Sequence, residues 1–245
     1  MPNELLKARI DDAVRIARRA PHFIGFLDPG ERAEAEDYIK WNNQAEFMFF
    51  GGYEDAERSF LGVFPDYLEP MGDYFPIAAI TFTYKPQYEL SHRDFLGSLM
   101  AQGITRSSLG DILIEKGRAV IFIKEELQDY IMTNISKIGK VGVTLTPGFE
   151  GELPVSHHFQ EMSGVIASMR LDCIVAFLAG VSRDKAATLI SSGLVTLNYR
   201  EATSNSAAVN ESAVISIRGK GKFIVDNIGP QTKKGRTIIK CRKYI

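Results

Sequence analysis

Apolar and polar positions alternate most regularly in the last third of the chain. Leu171, Ile174, Val175 and Leu178 follow helical spacing, and Gly180 is a residue type that ends helices. Because these four apolar side chains fall on one face, the spacing predicts a short amphipathic helix. Its apolar face would be buried against the rest of a small domain.

A second helix is predicted directly after this turn. Ser182 is a favourable N-cap residue, Ala186 and Ile190 share one face, and Gly193 ends the pattern. Beyond that glycine the apolar residues alternate with polar ones, which predicts strands at residues 195–197, 214–217 and 237–240. The last third of the chain is therefore predicted to be two helices followed by a small sheet.

The middle of the chain has a pattern of six elements in the order βαββαβ. The apolar runs and their turn residues predict strands at residues 77–84, 111–115, 119–124 and 141–145. They predict helices at residues 94–101 and 125–137. This order is the ferredoxin-like plan of RNA recognition motifs. The Lys/Arg-Gly-Phe signature by which such motifs stack bases is absent. Phe82, Tyr84 and Phe122 are alternative stacking residues, but aromatic residues in strands more often belong to the core, and we interpret them as core residues.

The first part of the chain predicts a small α+β unit, with helices at residues 3–20 and 29–42 and a strand at 46–50. Pro, Gly and Asp cluster in residues 70–76, which marks a boundary. The predicted fold class is thus α+β, in three small domains: an N-terminal unit (1–72), an RNA-recognition-motif-like domain (76–152) and the basic C-terminal domain (168–245).

Charge divides this chain of 245 residues into two parts. Residues 1–167 hold 16 Lys and Arg against 25 Asp and Glu, whereas residues 168–245 hold 13 against 5. The whole-chain net charge of −1 conceals this reversal. A strongly basic segment is the expected footprint of a contact with a polyanion, because each neutralised phosphate releases condensed counterions.

Composition argues against a membrane protein, a secreted protein and a zinc-binding protein. No apolar run approaches the ~20 residues of a membrane helix, and the chain starts with a polar, charged helix rather than a secretory signal. Cys173 and Cys241 stand far apart without histidine partners, which argues against a structural zinc site and suits a reducing compartment. We therefore expect a cytoplasmic protein without a metal, a cofactor or a membrane span.

Cations at helix starts are the first candidate RNA contacts. Arg170 opens the first predicted helix of the basic domain, Ser182 precedes the second, and Arg183 and Lys185 lie in its first turn; all four are candidate contacts to the RNA backbone. Backbone N–H groups there lack intrahelical acceptors and favour an anion, and arginine adds a fork that pairs with phosphate oxygens. The alternative is that each of these residues lies at a helix start without any contact to RNA.

Two further groups of cations are candidates. Residues 218–245 hold nine Lys and Arg against one acidic residue, with Phe223 and Tyr244 available for stacking, and residues 233–236 are predicted to form a basic hairpin tip. The candidate contacts in this segment are Arg218, Lys220, Lys222, Lys233, Lys234 and Arg236. In the middle domain, His92 and Arg93 precede a helix that Asp94 would cap, and Arg106 follows it.

The basic segment resembles the RNA-binding domain first described in small-subunit ribosomal protein four, here the S-four domain. The resemblance rests on Arg170-Leu171-Asp172, Ser182-Arg183, Ala186 or Ala187, and the run from Ile190 through Gly193 and Val195 to Asn198. One departure is Glu211-Ser212, where such domains have Gly-Asp before the final strand, and a local change of turn shape is expected there.

Motifs across nearly the whole chain are similar to those of the YlmH family. They are Phe26-Leu27-Asp28-Pro29, Gly51-Gly52-Tyr53, Ala56-Glu57-Arg58, the run from His92 to Gly97, Gly103-Ile104-Thr105-Arg106, Gly110-Asp111-Ile112 and the run from Arg218 to Phe223. The resemblance implies a bacterial protein encoded near cell-division genes. It also implies kinship with the ribosome-quality-control protein RqcP, which works on large ribosomal subunits that still hold peptidyl-tRNA.

These observations predict a non-enzymatic, monomeric factor that docks on structured rRNA or tRNA, on the large ribosomal subunit, in rescue or quality control of stalled translation. One alternative is a scaffold or accessory protein of cell division, which the implied gene neighbourhood favours. Another is an RNA-modifying enzyme such as a pseudouridine synthase. That enzyme class uses an Arg-Leu-Asp motif of its own, but the only Arg-Leu-Asp here is already part of the S-four pattern.

Overall fold

The computed structural model describes residues 4–42, 45–155, 159–232 and 235–245. The chain forms two compact units, Met1–Ser156 and His157–Ile245. Each unit combines helices with antiparallel sheet, so the fold class is α+β, as predicted. The two units are described separately.

The first unit begins with two helices around a three-stranded antiparallel sheet of order β1-β3-β2. The elements are α1 (Glu4–Ala17), β1 (His22–Leu27), α2 (Pro29–Asn42), β2 (Glu46–Phe50) and β3 (Ser59–Phe64). The predicted helices and the strand at 46–50 are present. The sequence pattern missed β1 and β3, and β3 is buried at every position, so it lacks the alternation that identifies a half-exposed strand.

A four-stranded sheet follows, in the order β5-β6-β4-β9. The elements of this part of the first unit are β4 (Ile77–Thr83), α3 (His92–Ala101), β5 (Leu109–Glu115), β6 (Arg118–Lys124), α4 (Gln128–Asn134), β7 (Lys137–Ile138), β8 (Val141–Gly142) and β9 (Thr144–Pro147). Three 3₁₀ turns lie at Gly72–Tyr74, Arg106–Ser108 and Glu125–Leu127. The βαββαβ order is as predicted. The small hairpin β7–β8 is an addition, made by Gly139 with a φ of +57°.

Aromatic packing joins the two sheets of the first unit. Phe26, Phe60 and Phe64 from the first sheet share one hydrophobic cluster with Val120 and Phe122 from the second. Phe75, inside the predicted boundary at 70–76, lies in the same cluster. The residues on both sides of that boundary therefore depend on a common core, and their division into two domains stays a prediction.

The second unit is a six-stranded antiparallel sheet with two helices on one face, in the strand order β10-β15-β14-β13-β11-β12. Its elements are β10 (Phe159–Ile166), α5 (Leu171–Ala179), α6 (Arg183–Ser191), β11 (Val195–Leu197), β12 (Arg200–Glu201), β13 (Val214–Ile217), β14 (Gly221–Gln231) and β15 (Thr237–Tyr244). Leu171, Ile174 and Val175 from α5 are fully buried against the sheet residues Phe223 and Ile239. Both predicted helices are present, with the predicted apolar face inward.

The edge strand β10 was not predicted, and it precedes the predicted domain start at residue 168. It pairs with β15 along its whole length, from Phe159 opposite Tyr244 to Ile166 opposite Thr237. Its inward-facing position 164 is glycine because the ring of Phe177 fills the space that a Cβ would need. The missing side chain interrupts the alternation by which a strand is recognised in a sequence.

Candidate nucleic-acid interface

A tight connection brings the starts of α5 and α6 together. Gly180 has a φ of +65° and its amide donates to the carbonyls of Ala176 and Phe177, which ends α5 in the left-handed conformation. Ser182 is the N-cap of α6, and its hydroxyl accepts a hydrogen bond from the Lys185 amide at 3.4 Å. The predicted cap is thereby confirmed, and the Ser182 hydroxyl is used within the helix start.

Asp172 holds the two candidate arginines in one cluster. Arg170 donates to its carboxylate through Nε at 3.2 Å and Nη2 at 3.0 Å, and Arg183 through Nε at 3.2 Å and Nη2 at 2.8 Å. The carboxylate is buried, at 7% exposure, whereas the side chains of Arg170 and Arg183 are 45% and 54% exposed. Two exposed planar forks are thus oriented by one buried anion.

The electrostatics of this cluster favour a further anion. Burial alone would raise the pKa of Asp172, but the hydrogen bonds from Arg170 and Arg183 outweigh it and hold that pKa well below its usual range. The same hydrogen bond raises the pKa of Arg183. Since one carboxylate faces two guanidiniums, the cluster keeps one uncompensated positive charge.

The donors that remain point to different roles for the two helix starts. At α5, the amides of Leu171 and Asp172 donate to the carbonyls of Ala207 and Asn205, so a loop already occupies that N-terminus. At α6, the amides of Arg183 and Asp184 have no acceptor among the residues that the structure describes. An approaching phosphate would meet the α6 start, together with the second terminal nitrogen of each guanidinium.

The remaining candidate cations of the C-terminal segment that the structure describes lie in two turns and on the sheet. Arg218 and Lys220 are exposed in the turn between β13 and β14, and the Arg218 amide donates to the Leu194 carbonyl just after α6. Arg236 is exposed in the turn before β15, where its amide donates to the Thr232 hydroxyl. Lys233 and Lys234 lie outside the described residues.

Lys222 lies on the sheet rather than in a turn. Its Nζ is 4.3 Å from the ring centroid of Tyr244 and 5.4 Å from that of Tyr199. The expectation that Phe223 is available for stacking is wrong, because its ring is 1% exposed and belongs to the core beneath the helices. The period of two in β14 places Lys222 and Phe223 on opposite faces.

In the first unit, the start of α3 carries His92 and Arg93, both exposed. The N-cap is Ser91 instead of the predicted Asp94, whose carboxylate accepts from the Ser91 amide at 2.8 Å and from its hydroxyl at 2.6 Å. Desolvation lowers the pKa of His92, and the nearby guanidinium of Arg106 lowers it further. His92 and Arg106 are therefore close enough for their charges to interact.

The guanidinium of Arg106 hydrogen-bonds to backbone carbonyls just after it in the chain. Its Nη1 donates to the carbonyls of Leu109 at 3.0 Å and Gly110 at 3.3 Å. Burial, followed by the charge of Arg58, lowers its pKa to about 10. Its role in the structure is to brace the start of β5, and an RNA contact would have to use its other nitrogens.

A polar cluster made by residues of several YlmH-like motifs lies beside Arg106. Asp111 accepts from the Tyr53 hydroxyl at 2.8 Å and from the amides of Glu57 and Arg58 at 2.7 and 3.1 Å. Arg58 in turn donates to the carbonyls of Leu109 and Phe26. The separate motifs around these residues are thus one structural joint, which fixes the loop of residues 51–58.

The three aromatics of the middle region, Phe82, Tyr84 and Phe122, are at most 6% exposed, so the prediction that they are core residues is confirmed. No group of three or more His, Cys, Asp or Glu that could hold a metal occurs among the described residues. Within the same residues, no helix is long and apolar enough to cross a membrane.

Comparison with known proteins decides the family. A family model described as the putative RNA-binding domain in YlmH matches residues 70–148, which contain the sheet β5-β6-β4-β9. The ribosome-associated protein quality control protein P2 of Bacillus subtilis (strain 168) is 30% identical over 213 residues, which cover 86% of this chain and 82% of that protein. The chain belongs to the YlmH family.

A solved structure agrees with this assignment. The cell division protein ylmH from Streptococcus pneumoniae is 26% identical to this YlmH-family chain, with a TM-score of 0.50. The match covers 58% of the chain and 86% of that structure. The family assignment made from the sequence motifs is therefore confirmed. The matched family model ends at residue 148 and so does not include the arginine cluster at Asp172.

Proposed function

We propose that this protein is a non-enzymatic RNA-binding factor that docks on structured rRNA or tRNA through its second unit. The arrangement that carries the proposal is the cluster of Arg170, Asp172 and Arg183, because it presents two oriented guanidiniums and a net positive charge beside the open start of α6. Lys185 and the exposed cations of the β13–β14 turn extend the same basic unit.

The docking target that fits best is the large ribosomal subunit, in rescue or quality control of stalled translation. Support comes from the curated relative, whose name describes a ribosome-associated quality control protein, and from the match to a putative RNA-binding domain. Phosphate contacts of this kind give affinity and position without reading sequence. A cytoplasmic monomer that recognises the shape of folded RNA is the corresponding form of the protein.

Salt-dependent binding of the full-length chain to a structured RNA tests the site. Arg183→Ala is expected to weaken binding roughly tenfold, as for loss of a charge-assisted contact, and to lower the magnitude of the salt slope by about 0.9. The matched control is Arg15→Ala, which removes an arginine that is 74% exposed on α1 in the first unit. Equal affinity and slope for Arg183→Ala and the wild type would remove the cluster from the interface.

Sedimentation of a tagged protein through a sucrose gradient tests the target. Co-migration with large subunits that is lost in the Arg170/Arg183/Lys185 triple alanine variant, and kept in Arg15→Ala, supports ribosome docking. A wild-type protein that stays at the top of the gradient at low and at moderate salt contradicts it. Free tRNA or a division protein would then be the better partner.

A further inference from the structure

The outer face of the six-stranded sheet, opposite α5 and α6, carries a row of alternating rings and cations. Arg242 lies over the ring of Phe159 at 4.6 Å, and that ring packs edge-on against Tyr244 with centroids 4.8 Å apart. Lys222 follows between Tyr244 and Tyr199. These five side chains form what we call the aromatic ladder.

The sheet register places the ladder on a single surface. Phe159 and Tyr244 are directly opposite in the β10–β15 pair, and Arg242 is two residues from Tyr244 on the same face. Cys241, which directly precedes Arg242 in sequence, is 1% exposed and points to the core beneath the helices. The ladder therefore faces away from the core and from the helix starts that carry Arg170 and Arg183.

Tyr199 reaches the ladder from an unusual backbone conformation. It is the second residue of the two-residue turn between β11 and β12, and its φ is +65°, after a φ of +48° at Asn198. Both angles identify a type I′ turn, in which glycine is strongly preferred at this position. A bulky aromatic residue is strained there. Yet its ring is 36% exposed and lies within 5.4 Å of the Lys222 ammonium.

This face is mixed in charge, and its cations lie beside its rings. The cations are Lys222, Lys240 and Arg242, and the carboxylates are Glu161, Asp226 and Glu201, which shares a cross-strand row with Lys222; Asp226 is already paired with Arg242 at 2.8 Å. A depression of ≈720 Å³ beside the ladder is lined by several of these groups, which could hydrogen-bond to the edges of a base. Aromatic rings with neighbouring cations are the means by which proteins hold unpaired nucleotides.

We propose that the aromatic ladder binds unpaired RNA nucleotides by stacking their bases on Tyr199 and Tyr244, while Lys222 moves to the phosphates. Stacking of a base changes affinity by about 5- to 150-fold, whereas a cation over an exposed ring contributes only about 2- to 5-fold, so a base displaces the lysine. This proposal rests on the proposed RNA-binding function. It assigns to the sheet a second contact, to single-stranded nucleotides, separate from the phosphate contacts of the arginine cluster.

The test compares two RNA probes with the full-length protein. One probe is a stem closed by a single-stranded loop, and the other is the same stem as a blunt duplex, each measured by fluorescence anisotropy across a range of salt. The variants are Tyr199→Gly, Tyr244→Ala and the two together. Tyr199→Gly removes the ring at a φ that glycine adopts freely, so this variant is expected to be at least as stable as the wild type, which a urea unfolding midpoint verifies.

Each substitution is expected to weaken binding of the looped probe by about 5-fold or more and to leave its salt slope unchanged, because stacking involves no counterion release. Binding of the blunt duplex is expected to stay within about twofold. Tyr67→Ala, which removes a tyrosine 74% exposed in the first unit, is the control. Unchanged binding of the looped probe by the double variant, or an equal loss for both probes, overturns the ladder.

Failure of the ladder and failure of the proposed function give different results. If the wild type binds both probes and responds to Arg183→Ala but not to the tyrosine variants, only the ladder is wrong. If the wild type binds neither probe, both proposals are wrong. If the tyrosine double variant no longer sediments with ribosomes but still binds both probes as the wild type does, the ladder is a protein-docking face. That result also overturns the proposal that the ladder binds nucleotides.

Discussion

At the scale of single residues, Asp172 organises the candidate interface. A buried carboxylate is costly unless it is paired, and this one is satisfied by two guanidiniums from opposite sides of the α5–α6 turn. The arginines are thereby held in fixed orientations before any ligand binds. Such preorganisation lowers the entropic cost of binding for long side chains.

Acid should therefore weaken the second unit through Asp172. The pKa of this carboxyl is lower in the folded state than its ordinary value of 3.8, so its stabilising contribution is complete above that value and is lost as pH falls through and below it. Asp172→Asn is expected to cost about 1–3 kcal/mol at pH 7 and to reduce the loss of stability between pH 7 and pH 3. Urea unfolding at both pH values measures this.

Asp184→Asn is the control for that experiment, since this carboxylate is exposed at the start of α6. It should leave the pH dependence close to that of the wild type. A wild-type protein whose free energy of unfolding does not change between pH 7 and pH 3 would contradict the assignment of the depressed pKa.

The sequence singled out Arg170 and Arg183 as candidates but not the partner that they share. Charge density, helix starts and the S-four pattern all pointed to Arg170 and Arg183. Their common partner was visible in the Arg-Leu-Asp motif, but its burial was not, because burial depends on how the α5–α6 turn folds back. The misassigned Phe223 has the same cause, since the face of a strand is set by a register that only pairing defines.

At the scale of elements, the helices were predictable and several strands were not. Both helices of the second unit and α1–α3 of the first were predicted from local sequence, with Gly180 after α5 and Ser182 before α6 as confirmed end signals and Ser91 in place of the predicted Asp94 at α3. The strands β12 and β14 were also not predicted. Of the other missed strands, β1 and β3 are largely buried on both faces and β10 is interrupted by Gly164, so their pattern carries no period of two. Their positions are determined by partners distant in sequence.

Glycine substitutions in a strand and in a helix should have opposite effects. Gly164→Ala places a Cβ into the ring of Phe177, so β10 must shift from α5, and we expect a loss of about 1–3 kcal/mol. Gly97→Ala, in the exposed face of α3, meets nothing within 4 Å and should add about 0.5–1 kcal/mol. Urea unfolding of both variants measures the two signs. A neutral Gly164→Ala would mean that β10 does not pack closely on α5.

At the scale of the whole molecule, the second unit should fold alone only if β10 is included. The test compares a fragment of residues 159–245 with a fragment of residues 168–245, which starts at the boundary predicted from the sequence. Removal of β10 exposes the whole edge of β15 and uncovers Ile166, whose burial is worth about 1.5–3 kcal/mol. The longer fragment should unfold cooperatively in urea, followed by circular dichroism, and the shorter one should be less stable and aggregate. Equal stability would make β10 dispensable.

The pairing of β10 with β15 also determines how this unit responds to mechanical force. Phe159 and Tyr244 lie opposite each other at one end of the pair, so tension between residues 159 and 245 loads the hydrogen bonds one after another instead of all together. The strand would unzip at low force and reseal when tension is released. A sheet held in this way yields to pulling from its two ends at lower force than a pair of strands whose hydrogen bonds are all loaded together.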